Sequence, residues 1–149
     1  MLCLLLFMAS CDKNQVYHKL DEDFTENRWQ KNVVKEFDFE IEDAAPIYDF
    51  VLLFSHVSDY QFSSVPMKIR IEGPTGKAEN IAIDLKIKED NGKDIAECAG
   101  DYCDLKYTFK SKSKLEPGKY KIYVGHSFKG PYLPNVIGVG LNVQKSRDK

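Results

Sequence analysis

"EFDFEIED", residues 36–43, alternates without a break: Phe37, Phe39 and Ile41 fall on one face, Glu36, Asp38, Glu40 and Glu42 on the other. Side chains of a strand point alternately to opposite faces, so this period of two describes a sheet with one face buried and one in water. The same period recurs downstream. "MKIRIEG" (67–73) sets Met67, Ile69 and Ile71 against Lys68 and Arg70, and "IAIDLKIKE" (81–89) aligns Ile81, Ile83, Leu85 and Ile87. Leu105, Tyr107 and Phe109 share a face, as do Tyr120, Ile122 and Val124, and then Ile137, Val139, Leu141 and Val143. "YDFVLLFSHV" (48–57) is apolar on both faces and is expected to be a central strand. Turn signals punctuate these runs at Pro46, "GPTG" (73–76), "EDNGKD" (89–94), Pro117-Gly118, Pro131 and Pro134. About eight short strands without a helical period predict an all-β fold, an antiparallel β-sandwich of immunoglobulin-like or jelly-roll type.

At 149 residues, with 43% hydrophobic and 12% aromatic content, the chain supports one packed domain and a short extension. Its 21 basic and 23 acidic residues are interspersed, for a net charge of −2. No basic face emerges, so a nucleic-acid partner is not expected.

The N-terminus reads differently. In "LLLFMASCDK" (4–13) an apolar run meets two small residues, then Cys11, then charge. The run Leu2 to Met8 is far too short to span a bilayer and sits at the short limit of a signal-peptide core. Met8-Ala9-Ser10-Cys11 matches a bacterial lipobox, with Met8 where Leu is usual. The alternative, a buried N-terminal element with an incidental cysteine, has against it the abrupt polar stretch at Asp12 to Asn14. Residues 1–10 are therefore expected to be a lipoprotein signal peptide, and Cys11 the lipid attachment site, holding the protein at a membrane through acyl chains worth about 0.8 kcal/mol per buried CH₂. Met1 runs into Leu2 without a basic segment, so the natural start is expected upstream, or the first residues trimmed. Residues 11–32, polar with isolated Tyr17, Phe24 and Trp29, read as the lipidated N-terminus and a flexible tether. Extended, that tether would reach roughly 70 Å at about 3.4 Å per residue. Residues 33–145 form the sandwich domain and 146–149 a frayed tail.

Of four cysteines, Cys3 leaves with the signal peptide and Cys11 is alkylated, leaving Cys98 and Cys103 in "ECAGDYCD" (97–104). Outside the cytoplasm this pair reads first as a disulfide, then as free thiols. A metal site ranks last, because zinc wants four ligands and no histidine is near.

Catalytic signals are weak. His126 and Ser127 adjoin in "GHS" (125–127), but neighbours on a strand point to opposite faces and cannot act as base and nucleophile. His18 and His56 have no companions, "EDNGKD" lacks the spacing of a calcium loop, and no glycine-rich phosphate loop is present. No enzyme activity, cofactor or metal is expected. "SDYQFSS" (58–64) and "HSFKGPYLP" (126–134) place Tyr60, Phe62, Phe128 and Tyr132 in loops, as contacts for a protein partner or a carbohydrate, or as caps on the sandwich ends.

Several landmarks stand in one order: "CDKNQVYHKL" (11–20), "NRWQK" (27–31), "EFDFEI" (36–41), "HVSDYQFSS" (56–64), "EDNGKDI" (89–95), "LEPGKYKIYVGHSF" (115–128) and "LPNVIGVGLNV" (133–143). The set, from Cys11 to about Lys145, resembles the GldH family of gliding-motility lipoproteins. The resemblance implies a non-enzymatic lipoprotein of the bacterial cell envelope, with the periplasmic face of the outer membrane favoured. It also implies that the protein supports a gliding apparatus, and the secretion machinery tied to it, through contacts with other envelope proteins. Only Cys11 carries over as a functional position. The alternative reading is a surface lipoprotein that binds carbohydrate through its loop aromatics.

Overall fold

The computed structural model describes residues 13–147, so the expected signal peptide and Cys11 lie outside the described residues. The strands are β1 (Gln15–Asp21), β2 (Trp29–Gln30), β3 (Lys35–Ile41), β4 (Ile47–Val57), β5 (Ser64–Glu72), β6 (Ala78–Lys86), β7 (Glu97–Ala99), β8 (Tyr102–Lys114), β9 (Gly118–His126), β10 (Tyr132–Leu133) and β11 (Val136–Lys145). One 3-10 turn, Thr25–Asn27, precedes β2. A five-stranded sheet runs β1-β11-β4-β8-β7 and a four-stranded sheet β3-β9-β5-β6, with β2 and β10 as a separate short ribbon. Every pairing is antiparallel.

The pairings nest. β5 pairs with β6, β4 with β8, β3 with β9, and β1 with β11, so the chain is one long double ribbon rolled on itself. That nesting is the jelly-roll order and decides between the two sandwich types.

The sequence explains each layer. On β3, Phe37, Phe39 and Ile41 are buried, while Asp38 and Glu40 lie opposite Lys121 and Lys119 of β9. β4 is central, between β11 and β8, and Val51 and Leu53 on its outer side are nearly as buried as Phe50, Leu52 and Phe54 on its inner side. Across the core Phe39 meets Phe50 at 6.0 Å and stacks on Tyr120 at 5.3 Å.

Two boundaries differ from expectation. The flexible tether is corrected from Gln15 onward. β1 pairs with β11 from Gln15↔Gln144 to Asp21↔Val139, and Tyr17 packs on Phe39 at 5.4 Å. Trp29 is fully buried, and its Nε1–H donates to the Val33 carbonyl at 2.8 Å. Lys35 reaches back from β3, with Nζ 3.1 Å from Asp21 Oδ1 and 2.9 Å from the Asp23 carbonyl, and lies 4.3 Å over the Phe24 ring. A strand at a sheet edge is half solvated, so its composition reads polar even though its backbone is paired. At the other end, Ser146 opens the expected frayed tail yet donates its N–H to the Ile47 carbonyl and its hydroxyl to Asp49 Oδ1.

β1 lies against β11 because Gly140 has no side chain. A Cβ there would sit 2.4 Å from the Lys19 carbonyl oxygen and 3.0 Å from Leu20 Cα, both backbone atoms that cannot swing aside. Gly140→Ala is therefore expected to destabilise the fold by about 1–3 kcal/mol in urea unfolding; an unchanged midpoint would mean that β1 does not pack there.

Candidate functional site

Cys98 and Cys103 stand directly opposite in the β7–β8 hairpin, with Cα atoms 4.0 Å apart and sulfurs bonded at 2.00 Å. Gly100, in the two-residue turn between them, has φ +64°, the left-handed backbone such hairpins demand. Asp94 lies within 4.8 Å of both sulfurs, but the sulfurs are spent on each other, leaving that trio one carboxylate to offer a cation.

The four loop aromatics do not form an open platform. Tyr60 belongs to the core: it is 1% exposed, its hydroxyl donates to the Pro134 carbonyl at 2.8 Å, and burial pushes its phenol well above the usual value. The expectation of a loop-exposed Tyr60 is thereby corrected; strand β4 ends at Val57 and the following turn folds its ring back over the core. Tyr60 meets Phe54 at 6.1 Å and Phe62 at 5.6 Å, and Phe62 meets Phe128 at 4.9 Å. This run of rings closes one end of the sandwich. Tyr132 is half-buried beneath the Arg28 guanidinium, 4.6 Å from its ring.

His126 seals the same end. Its Nε2 lies 3.0 Å from the Trp29 carbonyl and so carries the hydrogen, while Nδ1 accepts from the Phe128 N–H at 3.2 Å. Both nitrogens are thus committed to backbone with the ring neutral. Burial lowers its pKa from the ordinary 6.5, against the opposing pull of the Trp29 and Gln30 carbonyls.

Sequence reading missed a groove of about 750 Å³ on the outer face of the four-stranded sheet. Successive rows across that face differ in kind. In one row Glu36, Tyr123, Arg70 and Asn80 lie side by side on β3, β9, β5 and β6. Arg70 donates to Glu72 at 3.1 Å and to Asn80 at 3.4 Å, and the Tyr123 hydroxyl donates to Glu72 at 3.4 Å. The next row, toward the His126 end, pairs Gly125 of β9 with Lys68 of β5 and Lys68 with Ala82 of β6, and Val34 lies beside Gly125. Val33 and Val34 are 43% and 50% exposed. A solvated sheet face is ordinarily polar at these outward positions, so a row in which Lys68 is the one polar side chain beside valine, glycine and alanine is a departure from the pattern. Lys31 and Lys68 line the groove with no counter-ion among the described residues. The arrangement can hold an aliphatic group beside an anion. The signal available in the sequence was the outward-facing Gly125 inside an otherwise regular strand.

The GldH lipoprotein family model matches residues 15–143. Gliding motility lipoprotein GldH of Flavobacterium johnsoniae is 23% identical over 124 residues, covering 83% of this chain and 76% of that protein. Among solved structures, a chain in the structure of infectious bursal disease virus Gt strain gives a TM-score of 0.38 at 11% identity, over 91% of this chain and 33% of that one. Dimeric latent PorU from Porphyromonas gingivalis gives 0.35 at 11% identity, over 93% of this chain and 14% of that one. The chain spans a third or less of these solved structures.

Two measurements probe the site's frame. Gly125 has room for a side chain, since a Cβ would meet only Val34 Cγ2 at 3.8 Å. Gly125→Ala is thus expected to raise stability by about 0.5–1 kcal/mol, and a loss would show that the backbone there needs glycine. For His126, the unfolded chain binds a proton below about pH 6.5 that the folded chain refuses until its lower pKa is reached. Stability is therefore complete above pH 6.5 and falls as pH drops through the window between the two values. Urea unfolding at pH 7.5 and 5.5 is expected to show a smaller acid loss in His126→Gln than in the parent; equal losses would remove His126 as the cause.

Proposed function

Because this chain belongs to the GldH lipoprotein family, we propose that it supports gliding motility as a non-enzymatic, lipid-anchored component of the cell envelope, working through contacts with other envelope proteins. The observation that carries this reading is the extent of the family match, residues 15–143, which takes in both sheets rather than one motif. The name of the Flavobacterium johnsoniae relative supports the motility role. A link to protein secretion follows from the family's tie between gliding and a dedicated secretion system, and the periplasmic face of the outer membrane is the location we favour. Cys11 is the proposed attachment site. It stands four residues before Gln15, where β1 begins, so the domain is held within about 14 Å of its lipid rather than on a long leash. The glycan reading depended on open loop rings, and the burial of Tyr60 withdraws the central one.

Deletion of the gene in the producing bacterium is expected to abolish colony spreading and impair secretion, with restoration by the intact protein but not by Cys11→Ala. Normal spreading and secretion after deletion would reject the function, and full rescue by Cys11→Ala would reject the need for the anchor.

A further inference from the structure

We infer that the groove on the outer face of the four-stranded sheet is the docking site for an extended segment of a partner protein that presents apolar side chains beside a carboxylate. This inference rests on the reading that the chain works through protein contacts, and it names where and with what chemistry.

The first argument is Gly125. Glycine inside a strand costs stability relative to alanine and is expected only where conformation or space requires it. Neither does here. Gly125 is not among the glycines with positive φ, and a Cβ would meet nothing closer than an ordinary van der Waals contact. What the missing side chain does is keep the groove floor open, so that another backbone can come close. Ala82, two strands away across Lys68, keeps the far side equally shallow.

Charge is the second argument. The groove is lined by three permanent cations, Lys31, Lys68 and Arg70, and one carboxylate, Glu36; with the Glu72 carboxylate that pairs with Arg70, the local balance is one positive charge (3 − 2 = 1) on a chain whose net charge is −2. Arg70 is already engaged by Glu72 and Asn80, but the ammonium groups of Lys31 and Lys68 have no ion-pair or hydrogen-bond partner among the described residues. Elsewhere on the same face Lys121 lies 3.9 Å from Asp38 on the neighbouring strand, and Lys119 stands opposite Glu40. A carboxylate from outside would complete the pattern.

The third argument is the lining itself. Val33 and Val34 form an exposed aliphatic wall, which suits alkyl side chains, and the groove runs toward β6, the edge strand of this sheet among the described residues.

The test uses the full-length protein in its producing bacterium, with a benzophenone amino acid at Val34 and, as a control on the same face, at Glu40. After irradiation, cross-linked peptides are identified by mass spectrometry. The expected result is a cross-link from Val34, absent from Glu40, to a segment of another protein in which Asp or Glu adjoins aliphatic residues. Its yield is expected to fall at least tenfold in Lys31→Glu/Lys68→Glu and in Gly125→Val, the latter melting no lower than the parent. Yield unchanged in the charge-reversed and Gly125→Val proteins would overturn the inference. So would cross-links only to a second copy of this chain, only to lipid or glycan, or none at all. If deletion abolishes spreading while Val34 captures nothing, the groove is wrong and the motility reading stands. If the cross-link forms as described while deletion leaves spreading intact, the groove stands and the motility reading falls.

Discussion

The two ends of the domain meet where Leu20 lies across Gly140, and the rest of the roll depends on that closure. β11 is the neighbour of the central strand β4, and without β1 its other edge would be a row of unpaired backbone groups. The contact works because glycine at 140 lets backbone touch backbone. The nested order makes this the longest-range pairing of all, joining Tyr17 to Val143. Such non-local pairing slows folding, since loop entropy is paid before the contact returns anything.

With the strands closed, the open ends of the roll remain, and the protein stops them with aromatic side chains whose polar tips are satisfied by backbone. At one end Tyr48 donates to the Asp43 carbonyl and Tyr120 to the Glu116 carbonyl. At the other, Tyr60 donates to Pro134, Trp29 to Val33 and His126 to Trp29. An unpaired buried donor would cost about 1–3 kcal/mol, so these rings can plug the ends only because each finds an acceptor. Lys35 follows the same rule with a charge, sharing its three hydrogens between a carboxylate and a carbonyl and resting on the face of Phe24.

Period two made β3, β5 and β9 legible, because each has one wet face and one dry face, whereas β11, covered on both edges and buried from Gly138 to Leu141, was legible by its apolar side chains alone. The double apolarity of β4 correctly signalled its central place. The choice of jelly roll over immunoglobulin order was not legible, since periodicity says which residues face inward but not which strand lies beside which. β1 and β2 were hidden for a different reason. β1 is a half-solvated edge, and β2 is two residues long, with the buried Trp29 as its one apolar residue. Trp29 read as a tether aromatic and Tyr60 as a loop aromatic because a short apolar excursion in a polar stretch carries no period, and only the long-range contacts reveal them as core. The groove was invisible for a related reason: its floor comes from β5, β6 and β9 and its wall from residues 31–34, and none of these segments is unusual by itself.

The placement of the groove bears on what its cations are for. β1 begins at Gln15, beside the end of the sandwich where Val16, Ile41, Tyr48 and Lys145 line a common cleft. With Cys11 as the proposed anchor, that end is the one held near the bilayer. The groove lies toward the other end, where β9 finishes at His126. From Gly118 to Gly125 along β9 is seven residues, or about 23 Å at about 3.3 Å each. Electrostatic attraction to anionic headgroups fades over a screening length of about 8–10 Å at physiological salt. Lys31 and Lys68 lie toward the end of the sandwich away from Gln15, the residue nearest the proposed anchor. On the proposed anchoring at Cys11, lipid attachment and groove would sit at opposite ends of the sandwich, leaving the groove accessible while the other end is held at a surface.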